Sequence, residues 1–238
     1  MHKIDIAQCE YESPTLGNTR TIWVQRPATA EPAGVCIFLD GEYYLAHVRA
    51  AGIVDRLQAD GSMPPLLCAY VSHVDYETRW PESFCNPDFA RFVAGELLPW
   101  LTTEFGLTRG AETVLAGLSL TGLSAAHAAL HAPNTFSRVL CQSGSFWWNR
   151  GHLADDVANR AASNTVFRIT VGADETKEHV DHGKGLIQEE SQVASNRRMR
   201  DALTAHGYRV SYEEFDGGHG VAAWREDLPG SLAALFAM

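Results

Sequence analysis

From about residue 20 onward, short apolar runs alternate with longer amphipathic stretches. Val35–Leu39 (VCIFL) is continuously apolar and too short for a helix, so it reads as a buried strand. Leu66–Val71, Thr113–Leu118, Arg138–Cys141, Val166–Val171 and Arg209–Phe215 read the same way. Thr21–Gln25 follows a Gly-Asn turn, which makes residues 3–26 an N-terminal hairpin. Between the strands, apolar positions recur at helical spacing over residues 44–59, 88–104, 121–132, 189–205 and 222–237, with Asp88 in the expected cap region of the second.

Buried strands alternating with helices predict an α/β protein with a mostly parallel central sheet and helices on both faces. No internal repeat, low-complexity segment or Pro/Gly/Ser linker interrupts residues 1–238, so one domain is expected. The longest irregular stretches, 72–87 and 173–187, fall at the carboxyl ends of strands, where open α/β sheets bind their ligands.

Composition narrows the function. The formal net charge of −10 disfavours nucleic acid and anionic membranes, both of which need a basic surface. The start, MHKIDIAQCEYES, has no apolar core of a signal peptide, and no run is long enough to span a bilayer. The five cysteines are odd in number and lack paired spacing; Cys36, Cys68 and Cys141 sit in apolar runs as core thiols, which points to a reducing, cytoplasmic compartment. A homo-oligomer is compatible with everything in the sequence.

The chemistry centres on LAGLSLTGLSAAHAAL (115–130). A strand, then Gly117-Leu118-Ser119, then a helix is the order of a nucleophile elbow, whose serine sits on a tight turn with small neighbours. Thr121 stands where glycine is usual and is expected to crowd the backbone, with Gly122 taking over part of the close packing. The competing role for Ser119 is a helix N-cap. Distal residues favour the nucleophile. Asp174 and Glu175 follow one strand, and His219 follows the last strand in the loop DGGHG. The order Ser119, Asp174 or Glu175, His219 is that of an α/β-hydrolase triad. The oxyanion would be met by the N–H of Leu120 and by that of Gly41 or Glu42, on the loop after VCIFL.

The pieces FLDGEYY (38–44), RWPESFCNPDFARFVAGELLPWL (79–101), LAGLSLTGLSAAHAAL, QSGSFWW (142–148), VGADE (171–175) and GGHGVAAWREDL (217–228) occur in the order found in an esterase family of the α/β-hydrolase fold. The chain resembles the enterochelin (enterobactin) esterases of that family and, more distantly, esterase D and the mycobacterial mycolyltransferases, over roughly residues 20–237. The resemblance implies Glu175 as the triad acid, with Asp174 as fallback. It also implies a Ser-His pair that carries much of the catalysis and tolerance of a small non-glycine residue at the Thr121 position. It implies a small-molecule ester substrate, a catecholate siderophore or its iron complex, with Arg79 near the active site.

A guanidinium suits an anionic, oxygen-rich ligand; its structural alternative is an ion pair with Glu82 or Glu96. Phe146-Trp147-Trp148 is expected to end a strand beside the elbow, where Trp147 and Trp148 would stack on aryl rings or pack in the core. Trp224-Arg225 is expected to support the histidine loop. The enterochelin esterases usually carry an additional N-terminal domain, and the same hydrolase module serves acetyl, feruloyl and other carbohydrate esterases. A carbohydrate or aryl-ester esterase is therefore the alternative, and a non-catalytic binding protein of the same fold is the alternative outside enzymes. No cofactor is expected. His179 and His182 are close in sequence but lack companions at zinc spacing, so no metal is expected either. Arg197-Arg198-Met199-Arg200 reads as a solvated helix face.

Overall fold

The computed structural model of the chain describes residues 4–28, 30–108, 110–183 and 185–238. Its strands, in chain order, are β1 (Ile6–Ser13), β2 (Asn18–Gln25), β3 (Gly34–Leu39), β4 (Leu67–Val71), β5 (Glu112–Leu118), β6 (Arg138–Gln142), β7 (Val166–Gly172), β8 (Val180–Asp181), β9 (Ile187–Gln188) and β10 (Arg209–Phe215). Eight of them make one sheet in the order β1-β2-β4-β3-β5-β6-β7-β10. β1 and β2 form the expected hairpin, and β2 runs antiparallel to β4. The remaining strands are mutually parallel.

The helices are α1 (Ala50–Ala59), α2 (Tyr76–Ser83), α3 (Pro87–Arg91), α4 (Leu98–Glu104), α5 (Leu120–His131), α6 (Trp148–Asp156), α7 (Gln192–Ala205) and α8 (Val221–Phe236). β3 shows how they are distributed. Val35, Ile37 and Leu39 face a core formed with α3 to α7, while Cys36 and Phe38 face a second core formed with α1 and α8. Side chains alternate across a strand, so every residue of this continuously apolar segment is buried. Cys36, Cys68 and Cys141 are buried, and all five cysteines are free thiols.

Several elements differ from the sequence expectation. The helix expected over 44–59 is broken at Arg49, which has φ 62°, between a π-helical stretch at Tyr43–Val48 and α1. The helix expected over 88–104 is α3, a π-helical stretch at Phe92–Leu97, and α4. Its cap is Asn86 rather than Asp88: the Asn86 side chain accepts from the N–H groups of Asp88 and Phe89, and Pro87 needs no acceptor at the first helical position. The stretch 72–87 contains α2, capped by Asp75. The stretch 173–187 reaches into the small β8–β9 hairpin. Phe146–Trp148 does not end a strand, because β6 stops at Gln142 and Trp148 opens α6. That helix contains three consecutive left-handed residues, Asn149, Arg150 and Gly151, which no apolar periodicity reveals.

α2 is held to the sheet by a buried charge. Arg20 of β2 is 1% exposed; it pairs with Glu82 of α2 and donates to the Ser72 carbonyl at 2.9 Å. Its guanidinium lies 5.5 Å and 5.2 Å from the Phe89 and Phe92 ring centres. Removing one partner of such a pair leaves a desolvated charge. Arg20→Met is expected to lower stability by about 3–5 kcal/mol in urea denaturation. Adding Glu82→Leu is expected to recover most of that loss.

Candidate active site

Ser119 links the end of β5 to the start of α5 with φ 52° and ψ −119°. Few side chains adopt such a backbone, and strain of this kind persists only where the surroundings enforce it. Two backbone bonds do so here: Ser119 N–H donates to Gln142 O at 2.8 Å, and Ser145 N–H donates to Ser119 O at 3.0 Å. The turn is tight enough that a Cβ on Gly117 would lie 2.1 Å from the Thr121 carbonyl oxygen. The Ser119 side chain makes no capping bond, so the N-cap role is not the one it plays. Its Oγ lies 2.9 Å from His219 Nε2.

Thr121 does not crowd the elbow. Its Oγ1 accepts from Leu118 N–H at 3.1 Å and lies 2.9 Å from Leu118 O and 3.3 Å from Asp40 Oδ2. The hydroxyl is thus absorbed by hydrogen bonding. Close packing passes to Gly122, where a Cβ would stand 3.0 Å from Gly144 Cα.

His219 lies beyond β10, with Nδ1 2.5 Å from Glu175 Oε2. Glu175 follows β7, and its carboxylate is 1% exposed. The other carboxylate oxygen accepts from Gly172 N–H at 2.8 Å and from Ser143 Oγ at 2.5 Å. A buried carboxylate needs this degree of satisfaction. Asp174 is exposed: it borders the cleft, and its backbone N–H donates to Gly217 O, but its carboxylate makes no bond to His219 among the described residues. Of the two carboxylates, the structure brings Glu175 to the imidazole. Trp224 stands edge-on to His219 at 4.9 Å and donates Nε1–H to Ser143 Oγ at 2.9 Å; Arg225 donates to the His47 carbonyl.

The group borders a cavity of about 540 Å³ whose lining includes Ser119, Leu120, His219, Arg79, Trp147 and Lys177. The Leu120 N–H opens α5 and has no protein acceptor among the described residues; the same is true of the Gly41 and Glu42 N–H groups, though neither residue borders this cavity. Arg79 does not pair with Glu82 or Glu96. Its guanidinium grips Asp40 through one edge with two bonds, Nε to Oδ1 at 2.9 Å and Nη2 to Oδ2 at 2.5 Å. The sheet brings Asp40 up beside α2, a proximity the chain's spacing does not show, while Glu82 is taken by Arg20 and Glu96 by Ser13 and Thr15. Trp147 is buried and lies flat against His182, with centres 4.8 Å apart. Trp148 lies outside the cavity and stacks on Phe84 at 5.1 Å, because the chain turns into α6 there.

Sequence reasoning overlooked Asp40, His73, Ser143, Lys177 and His182 as members of this constellation. Asp40 stands beside Gly41 in FLDGEYY, and Ser143 stands in QSGS, so both lay inside motifs already noted.

A parallel sheet covered on both faces, with a serine elbow after one strand and a histidine after the last, defines the α/β-hydrolase fold. Residues 13–235 match the Esterase family, described as "Putative esterase", and the chain belongs to that family. An iron(III) enterobactin esterase of Dickeya dadantii is 31% identical over 92% of this chain and 52% of its own length. One from Escherichia coli is 29% identical over 95% and 56%. The chain therefore spans about half the length of the curated relatives it matches. A crystal structure of the enterobactin esterase from Shigella flexneri in the presence of enterobactin superposes with a TM-score of 0.83 at 27% identity, covering 99% of this chain and 59% of the other.

His73 Nδ1 lies 3.4 Å from Asp40 Oδ1 and 3.3 Å from Glu42 Oε2. These carboxylates, Asp40 first, outweigh partial burial and raise the His73 pKa from its ordinary 6.5 to about 9. A raised folded-state pKa stabilises fully below the unfolded value and is lost as pH climbs through the folded one. The His73 ring protons are expected to titrate near pH 9 by NMR. The urea midpoint is expected to fall between pH 7 and 10 more steeply in the wild type than in His73→Gln, about the unfolded histidine value near 6.5. Titration near the ordinary value would show that the two carboxylates do not hold the ring.

Proposed function

We propose that this chain is a serine carboxylic-ester hydrolase that needs no cofactor and acts on catecholate-siderophore esters, free or as iron complexes. The observation that carries the reading is the connected line from Ser119 Oγ to His219 Nε2 at 2.9 Å and from His219 Nδ1 to Glu175 Oε2 at 2.5 Å, opening on one cleft. Glu175 holds the Nδ1–H tautomer, which leaves Nε2 to take the Ser119 proton. The Ser119 oxygen attacks the ester carbonyl, and the tetrahedral oxyanion turns toward the Leu120 N–H and a second donor from Gly41 or Glu42. Nε2 returns the proton to the departing alcohol. Water then repeats the sequence, releasing the acid and restoring Ser119.

The substrate class rests on charge and on the relatives. In a chain of net charge −10, Lys177 places an exposed cation at this cleft, where Arg79 is neutralised by Asp40, and a lysine there suits an anionic ligand. Trp80 borders the same space and offers an aromatic surface, while Trp147 forms part of its wall with one face covered by His182. The relatives named iron(III) enterobactin esterases support the same class. Among the described residues no helix is long and apolar enough to cross a membrane. In this reading residues 1–238 form one catalytic domain that works in the cytoplasm, a compartment its free thiols suit.

A fluorophosphonate is expected to add once to the wild-type protein, at Ser119, by intact mass, and not to Ser119→Ala or His219→Ala. Glu175→Gln is expected to lower kcat by up to about 10⁴-fold, with Asp174→Asn within a few-fold. A folded wild type that takes no label would leave the fold as a binding scaffold. Lys177→Gln is expected to raise KM about five-fold for a ferric catecholate ester, the scale of one exposed charge, and to leave p-nitrophenyl butyrate unchanged. Equal effects on both substrates would favour a carbohydrate or neutral aryl ester.

A further inference from the structure

Asp40 follows β3 with a left-handed backbone, φ 59°, and its carbonyl accepts from the N–H groups of Tyr43 and Tyr44. These bonds close the loop that carries Gly41 and Glu42. The Asp40 carboxylate is 1% exposed and is approached from three directions: by Arg79 of α2, by His73 after β4 and by Thr121 of the elbow. Thr121 is two residues past Ser119; its Oγ1 accepts from Leu118 N–H, and its single hydroxyl proton is shared between Leu118 O at 2.9 Å and Asp40 Oδ2 at 3.3 Å. One buried carboxylate therefore touches the turn that carries the Leu120 N–H and belongs to the turn that carries the other donors.

We infer that Asp40, acting through the Thr121 hydroxyl, is a positioning residue that fixes the two sources of oxyanion donors relative to each other. The inference rests on the esterase reading above. Ser119 and His219 are held by other bonds, Gln142 to Ser119 and Glu175 to His219, so the Asp40 link governs the donors and not the nucleophile. Glycine at position 121 would satisfy the usual elbow pattern and lose the link. Arg79 and His73 keep the Asp40 charge compensated when Thr121 changes, so the link is separable from folding.

The test uses Thr121→Val, Thr121→Gly and Thr121→Ser with p-nitrophenyl butyrate and an aryl trifluoromethyl ketone that forms a tetrahedral adduct. Wild-type labelling at Ser119 by a fluorophosphonate is measured first; its absence removes the esterase reading and this inference together. With Ser119 reactive, Val and Gly are expected to lower kcat about 10- to 100-fold, the scale of a misplaced catalytic group, with KM within two-fold. Affinity for the ketone is expected to fall by the same factor as kcat/KM, and Ser is expected to restore both. Unchanged kcat in the Val and Gly variants overturns the inference alone. So does a loss shared equally by kcat and KM, or one that Thr121→Ser does not rescue.

Discussion

β3 pairs with β4 on one side and with β5 on the other, so the chain reverses its direction of winding across the sheet at that strand. Connections leaving β3 and β5 depart toward opposite faces, α1 below one and α5 above the other. Their first residues are left facing each other at the carboxyl edge, which is where such sheets open a crevice. Asp40–Glu42 and Ser119–Thr121 are those residues. The approach of these two turns follows from this topology.

Upon that frame, the polar groups above the sheet are linked in series, although Gln192 Oε1 and Asn196 Oδ1 have no partner among the described residues. Glu175 uses one oxygen on His219 and the other on Gly172 N–H and the Ser143 hydroxyl. Ser143 receives Trp224 Nε1–H at its own oxygen, and Gln192 donates to the Ser143 carbonyl. Asn196, one helical turn along α7, donates to the Gly144 carbonyl. A buried polar group without a partner costs about 1–3 kcal/mol. These residues therefore hold one another in place, and the loop between β6 and α6 is fixed from both sides.

The strands were legible because continuous apolar runs bounded by turns have one reading in a sheet covered on both faces, as in VCIFL. The order of Ser119, Glu175 and His219 was legible because each stands just past such a strand. α6 was hidden, since its first turn contains three left-handed residues and its apolar face is short. α2 was hidden by Pro81 within it and by a polar composition stabilised by the Asp75 cap. The partner of Arg79 was hidden for another reason. Asp40 and Arg79 are 39 positions apart, and only the sheet order makes them neighbours. The sequence could distinguish Asp174 from Glu175 only through a resemblance, because adjacent residues in a tight turn differ in direction and not in chemistry.

Thr121 carries a consequence for how such serine turns are described. A pattern of letters that demands glycine at the fifth position treats it as a requirement of bulk. Here the space that must stay empty lies beside Gly117 and Gly122, and the fifth position tolerates a branched side chain because its oxygen accepts from Leu118 N–H and its one proton faces Leu118 O and Asp40 Oδ2. The property shared by these turns is clearance between one strand end and one helix start. A search written in terms of that clearance would recover chains that a five-letter signature passes over.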